Sequence, residues 1–197
     1  MAGSNAISAT GKSIERVLTA CFSEAPIPVP GKTTKAVLIR TVDFDKNAVS
    51  GAIQRPALSI FLYRVDFNKT MRAAWSGVSV QDGRAHLPLD LHFLLTPWAD
   101  NAEFEHAILG RAIQCLDSLP ILNGPLLLQS GEWMTNEGVQ LLLEEISTEA
   151  LMRLFDSLPA DYHLSVPYVA RLLRLDGRRA APSPDVTTVV TGMVPPP

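Results

Sequence analysis

Three constellations in this 197-residue chain have residue types and spacing that could do chemistry. Ala6 to Ser13 reads Ala-Ile-Ser-Ala-Thr-Gly-Lys-Ser, the loose phosphate-loop spacing of a small residue, four spacers and Gly-Lys-Ser. A working loop of that kind follows a buried strand and opens a helix, so that backbone amides hold phosphate while Lys12 reaches the terminal phosphates. Only five residues precede Ala6, too few for the strand, and Gly11 to Ser13 fall inside a helical apolar stripe, so a helix surface is the better reading. Glu103 and His106 stand at the Glu-x-x-His spacing of carboxylate-bridged metal sites, but such a site needs a second copy and further Glu residues. A cap-supporting Glu103 and a solvated His106 explain the pair better. Asp90 and His92 lie two apart in an alternating segment, on one face of a strand, and could form an acid–base dyad. No nucleophile motif such as Gly-x-Ser-x-Gly accompanies them, and a polar sheet face or a subunit contact accounts for them as well. His163 has no partner that spacing identifies. Trp75, Trp98 and Trp133 read as interface anchors or as core-edge residues. Arg171, Arg174, Arg178 and Arg179 form a basic cluster suited to an acidic protein surface and too small for nucleic acid.

The elements that would position these residues follow from periodicity. Ile7, Gly11, Ile14, Val17, Leu18 and Cys21 predict an amphipathic helix from about Asn5 to Phe22, ended by Pro26, Pro28 and Pro30. An extended segment follows from Lys35 to Phe44, with a loop from Asp45 to Arg55. Ala57 to Phe67, apolar on both faces, reads as a central strand. Leu87, Leu89, Leu91, Phe93 and Leu95 alternate with His86, Asp90, His92 and Thr96, which predicts a strand with one core face and one mostly polar face. Asp100, with Glu103 three residues on, caps a second helix carrying Phe104, Ile108, Ala112, Cys115 and Leu119. Pro125 to Gly138 fits no pattern; Val139 to Ile146 suits a strand, Ser147 caps a short helix through Leu158, and Tyr162 to Leu175 is a final strand. The expected fold is α+β, a mostly antiparallel sheet of about five strands flanked by about three helices. Residues 1–175 form one domain, and residues 176–197 a Pro-rich flexible tail with a β-prone patch from Val186 to Val190.

Hydrophobic residues at 47% supply a core, and charged residues at 19% are too few for a disordered chain. The net charge of −3 gives no sign of the basic footprint of a nucleic-acid binder and disfavours a polyanion partner. By segment the charge is zoned: residues 1–84 carry +5, residues 85–161 carry −10 and residues 162–197 carry +2. Such zoning can orient stacked or side-by-side copies. Cys21 and Cys115 each lie in an apolar stripe and read as free thiols acting as small hydrophobes, so a cytosolic fold is the simpler expectation. No stretch approaches a membrane span, and Met1 to Ser8 lacks the basic and apolar regions of a secretory signal.

The central strands carry a resemblance. Ser59 to Val65 with Asn68 and Arg72, Leu87 to Thr96, Ile108-Leu109-Gly110 with Pro120-Ile121-Leu122, Ser147 to Leu158, and Leu158 to Tyr168 resemble a bacterial family of cap proteins. The likeness, over about Ala6 to Leu175, is to the N-terminal domain of tail terminators from phage-tail-like extracellular contractile injection systems, of the antifeeding-prophage and virulence-cassette type. The resemblance implies a homo-hexameric ring that closes the inner tube at the end distal to the baseplate and engages the last sheath layer. It implies no catalytic residues and no cofactor, partnership with tube and sheath proteins, no nucleic acid and no membrane insertion. It also implies assembly in the bacterial cytoplasm as part of an injection particle open to release.

Pro167 departs from the pattern by removing a ladder donor, which predicts an edge strand or a bulge. Sheath subunits that exchange strands leave unpaired edges at the final layer, and Val186 to Val190 or the strand near Pro167 would meet them. Candidate interface residues are Asp90, His92, Trp75, Trp98, Arg171, Arg174, Val186 and Val190. The competing class is a small cytosolic enzyme using Asp90 and His92, or a nucleotide binder using Lys12.

Overall fold

The first helix, α1, spans Ala6–Glu24 and buries Ala6, Ile14, Val17, Leu18 and Phe22 along one stripe, as the periodicity requires. A computed structural model describes residues 2–27, 32–45, 51–69, 71 and 86–176 of the chain. After α1 come β1 (Lys35–Ile39), β2 (Ala57–Phe67), β3 (His86–Trp98), α2 (Ala102–Ser118), β4 (Ile121–Asn123), β5 (Gly138–Leu143), α3 (Thr148–Asp156) and β6 (Val166–Asp176). The strands make one sheet in the order β1-β2-β3-β6-β5-β4, antiparallel throughout except for the parallel pair β1 and β2. The α+β class and the mostly antiparallel sheet are as expected.

Several boundaries differ for local reasons. The extended segment from Lys35 breaks at Ile39 into a 3-10 turn, Thr41–Phe44, in which Asp43 accepts from the backbone N–H of Arg40 at 2.8 Å. Asn101, not Asp100, caps α2: its side chain accepts from Phe104 N–H at 2.9 Å, while Asp100 pairs with Lys32 at 3.6 Å. Ser147 caps α3 as expected, accepting from Ala150 N–H at 3.2 Å. The unassigned stretch around Pro125 holds two 3-10 turns, and β4 just ahead of it is a sixth strand of only three residues.

Helices cover both faces of the sheet. On the first, α1 and α2 pack on Leu58, Ile60, Leu91, Phe93 and Leu95, with Ile108, Ala112 and Leu116 from α2. Cys21 and Cys115 join the two helices as a disulfide, which corrects the expectation of free thiols. Helical spacing places each cysteine on its own stripe, but only the packing of α1 on α2 shows that the two stripes meet. On the second face, α3 and the 3-10 turn close a smaller core of Ile39, Phe44, Phe61, Leu94, Trp98 and Phe155. β3 is therefore covered on both sides, and its polar face, as the alternation predicts, carries His86, Asp90, His92 and Thr96, all of them buried among partners.

Pro167 corrects another expectation, because β6 is an interior strand between β3 and β5. The Pro167 carbonyl accepts from Glu144 N–H at 2.9 Å, one residue past the end of β5. Its missing N–H thus faces the β5 side just past the last β5–β6 pair, Leu143 with Tyr168, and the proline is tolerated without an edge strand.

Candidate functional site

α3 covers only one end of the second face, and the other end is an open groove of about 720 Å³ across β2, β3, β6 and β5. His92 and Asp90 enter it from β3, Arg64 and Asp66 from β2, Arg171 from β6, and Glu144 from the residue after β5. A register shift between Leu62 and Arg64 makes Tyr63 an extra residue on β2, so Tyr63 and Arg64 both reach Glu144. A second shift, between Leu89 and Leu91, sets Asp90 against the stretch of β6 that carries Arg171.

Glu144 is the hub. Its Oε2 accepts from the Tyr63 hydroxyl at 2.7 Å, and its Oε1 lies 2.9 Å from Arg64 Nη2 and 2.8 Å from His92 Nδ1. His92 Nε2 stands 3.4 Å from Asp66 Oδ2, which Arg64 Nε also meets at 3.0 Å. Partial burial, and then the hydrogen bond and charge of Glu144, push the Tyr63 phenol well above its ordinary range. Tyr168 on β6 is raised as well, by burial first and then by the Asp117 carboxylate. Asp90 Oδ2 accepts from Asn68 Nδ2 at 3.2 Å and lies 3.9 Å from Arg171 Nε.

Asp90 and His92 therefore share one face, as the alternation predicts, but each is engaged by its own partners. A base oriented toward a nucleophile needs that nucleophile within hydrogen-bond reach, and among the described residues no serine, threonine or cysteine lines the groove. The arrangement ties four strands together through ion pairs. Among the described residues no group of three or more His, Cys, Asp or Glu could hold a metal ion.

The other sequence-selected residues separate by place. Trp98 is 8% exposed, donates from Nε1 to Ser59 Oγ at 2.9 Å and stacks on His163 with ring centroids 4.5 Å apart. It anchors the second core and offers little surface to a partner. His163 gains the partner that spacing did not identify, Glu105 Oε1 at 3.1 Å. Arg171 is half exposed, whereas Arg174 is more covered and lies 3.4 Å from Glu137. Trp133 is half-buried and donates to the Leu128 carbonyl at 2.7 Å. Glu103 and His106 are exposed on α2. Lys12 is exposed on α1 and paired with Glu15, well inside a helix that begins at Ala6, which removes the phosphate-loop geometry. Trp75, Val186 and Val190 lie outside the described residues.

Sequence reasoning missed Glu144 and the roles of Tyr63 and Arg64. The extra residue at Tyr63 breaks the two-residue alternation, so no periodic signal places these side chains together.

Two solved structures share the fold. A PVC sheath/tube terminator in its extended state, from an extracellular contractile injection system, aligns with a TM-score of 0.52 at 18% identity over 95% of this chain and 64% of its own. The anti-feeding prophage cap, described as a tube terminating cap, aligns with a TM-score of 0.51 at 17% identity over 92% of this chain and 60% of its own. The chain thus spans less than two thirds of the length of either. No curated protein matches it. The model of the Pvc16 N-terminal domain matches residues 10–188, nearly the whole chain, and the chain belongs to that family.

Proposed function

We propose that this chain is a structural terminator of a contractile injection particle, closing the distal end of the inner tube and contacting the last sheath layer. The observation that carries the reading is family membership over residues 10–188, together with a fold shared with a sheath/tube terminator and a tube terminating cap. The groove supports a non-enzymatic role, since Arg64 and His92 both engage Glu144 and, among the described residues, no serine, threonine or cysteine lines it.

A tube of stacked rings keeps growing because each ring offers the next the same surface, and stopping it takes a ring complementary on one face and non-propagating on the other. In this reading the chain acts as a homo-hexamer, assembled in the cytoplasm with tube and sheath subunits. The strand near Pro167 is withdrawn as a strand-adding element, because β6 has neighbours on both sides there. Val186 to Val190 remains the proposed sheath contact, with the half-exposed Arg171 on the groove side.

The test is co-assembly. Purified protein mixed with tube subunits is expected to form rings and to bind tube ends in negative-stain images. A monomer that ignores tube and sheath subunits contradicts the reading, and so does an ATPase activity abolished by Lys12→Ala.

A further inference from the structure

The Gly11-Lys12-Ser13 run has no phosphate geometry, yet each of its residues has a task at the margin of the sheet. β1 is a margin strand, paired among the described residues with β2 alone. In a parallel ladder alternate residues turn their N–H and C=O groups to opposite sides, so every second residue of a margin strand faces outward. Here these are Ala36 and Leu38, and α1 takes both donors. Thr19 Oγ1 accepts from Ala36 N–H at 3.2 Å, and Glu15 Oε2 accepts from Leu38 N–H at 3.0 Å.

The spacings match. Glu15 and Thr19, four residues apart on a helix, are separated by about 6 Å of rise. Ala36 and Leu38, two apart on a strand, are separated by about 6.6 Å. Lys12 holds the Glu15 carboxylate, with Nζ at 2.8 and 3.1 Å from its two oxygens. Gly11 sets the approach: a Cβ there would stand 3.1 and 3.2 Å from the Leu38 methyl carbons. Ser13 Oγ accepts from Leu128 N–H at 2.9 Å and so fixes α1 to the loop after β4.

An outward row of unpaired donors on a margin strand is a template for pairing with another chain. We infer that β1 is a strand-accepting edge held closed by α1, with Glu15 and Thr19 occupying the donors to which an extended segment of a second copy would pair, and Gly11 and Lys12 positioning them. The closure makes this margin non-propagating. It stands on the contacts of α1 with β1 alone and does not depend on the terminator reading.

The test uses the full chain carrying Glu15→Ala with Thr19→Ala, followed by amide hydrogen exchange and by sedimentation over a concentration series. The amides of Ala36 and Leu38 are expected to exchange roughly tenfold faster than in the parent, as for the loss of about one hydrogen bond each. Those of Ile60 and Leu95 are expected to stay unchanged, and the variant to associate beyond the parent's assembly state. Glu15→Gln keeps an oxygen acceptor and is expected to keep Leu38 protected. Unchanged exchange at Ala36 and Leu38 in the double variant overturns the inference, as does faster exchange without added association, or an edge opened equally by Glu15→Gln. Should the double variant fail to fold, Thr19→Val keeps the shape and removes the acceptor; Ala36 alone is then expected to lose protection, and unchanged exchange there is equally fatal to the idea.

Discussion

Glu144 accepts from Tyr63 and Arg64 and borders His92, so its removal strands several partly buried groups at once. Glu144→Ala is expected to lower unfolding free energy by about 1–3 kcal/mol in urea titrations, because the phenol and guanidinium lose their acceptor. Tyr63 carries a pH dependence. Its phenol keeps its proton in the folded chain beyond the ordinary value of about 10, so the stabilising contribution is complete below that value and is lost as pH rises past it. Tyr63→Phe is expected to flatten the fall of stability between about pH 10 and 12, with Tyr168 retaining its own share. An unchanged alkaline slope contradicts this. At this scale the sequence was half legible. Alternation from Leu87 to Leu95 places Asp90 and His92 on one face, whereas Glu144 joins them only through an irregularity at Tyr63 that leaves no periodic trace.

Elements follow the pattern where one force dominates. Ala57–Phe67 is apolar on both faces and sits second from the sheet margin with both faces in use, and Ser147 caps α3 as its spacing with Ala150 requires. Where two local solutions compete, the sequence is ambiguous: Asp100 and Asn101 are both good caps, and the ion pair of Asp100 with Lys32 leaves the cap to Asn101. Long-range packing is the least legible. The disulfide joins positions 94 residues apart, and no local signal shows that α1 and α2 bring them together. In the chain-entropy view a loop of that length stabilises the fold by up to about 4–5 kcal/mol. Cys115→Ala, or reduction, is therefore expected to lower the midpoint of denaturation markedly, and the unreduced chain to weigh two hydrogens less than the reduced one. Two freely titrating thiols in the denatured, unreduced protein contradict the pairing.

Across the whole molecule, part of the zoned charge pairs within the fold. Cations from the two basic ends meet acids of the middle segment: Lys32 with Asp100, Arg64 with Glu144, Arg171 with Asp90 and Arg174 with Glu137. Zoning expected to orient neighbouring copies thus also closes this chain on itself, while Glu103, Asp117, Glu132, Glu145 and Asp156 stay on the surface. Within the proposed role, those exposed acids are the charge left to meet tube or sheath. The central claim is that the chain ends a polymer, and the direct measurement is the length distribution of tubes assembled with and without it, imaged by electron microscopy. The expected result is a narrow distribution with added density at the end distal to the baseplate when the protein is present, and overlong, bare-ended tubes when it is absent. Equal length distributions with bare ends in both cases would contradict the claim.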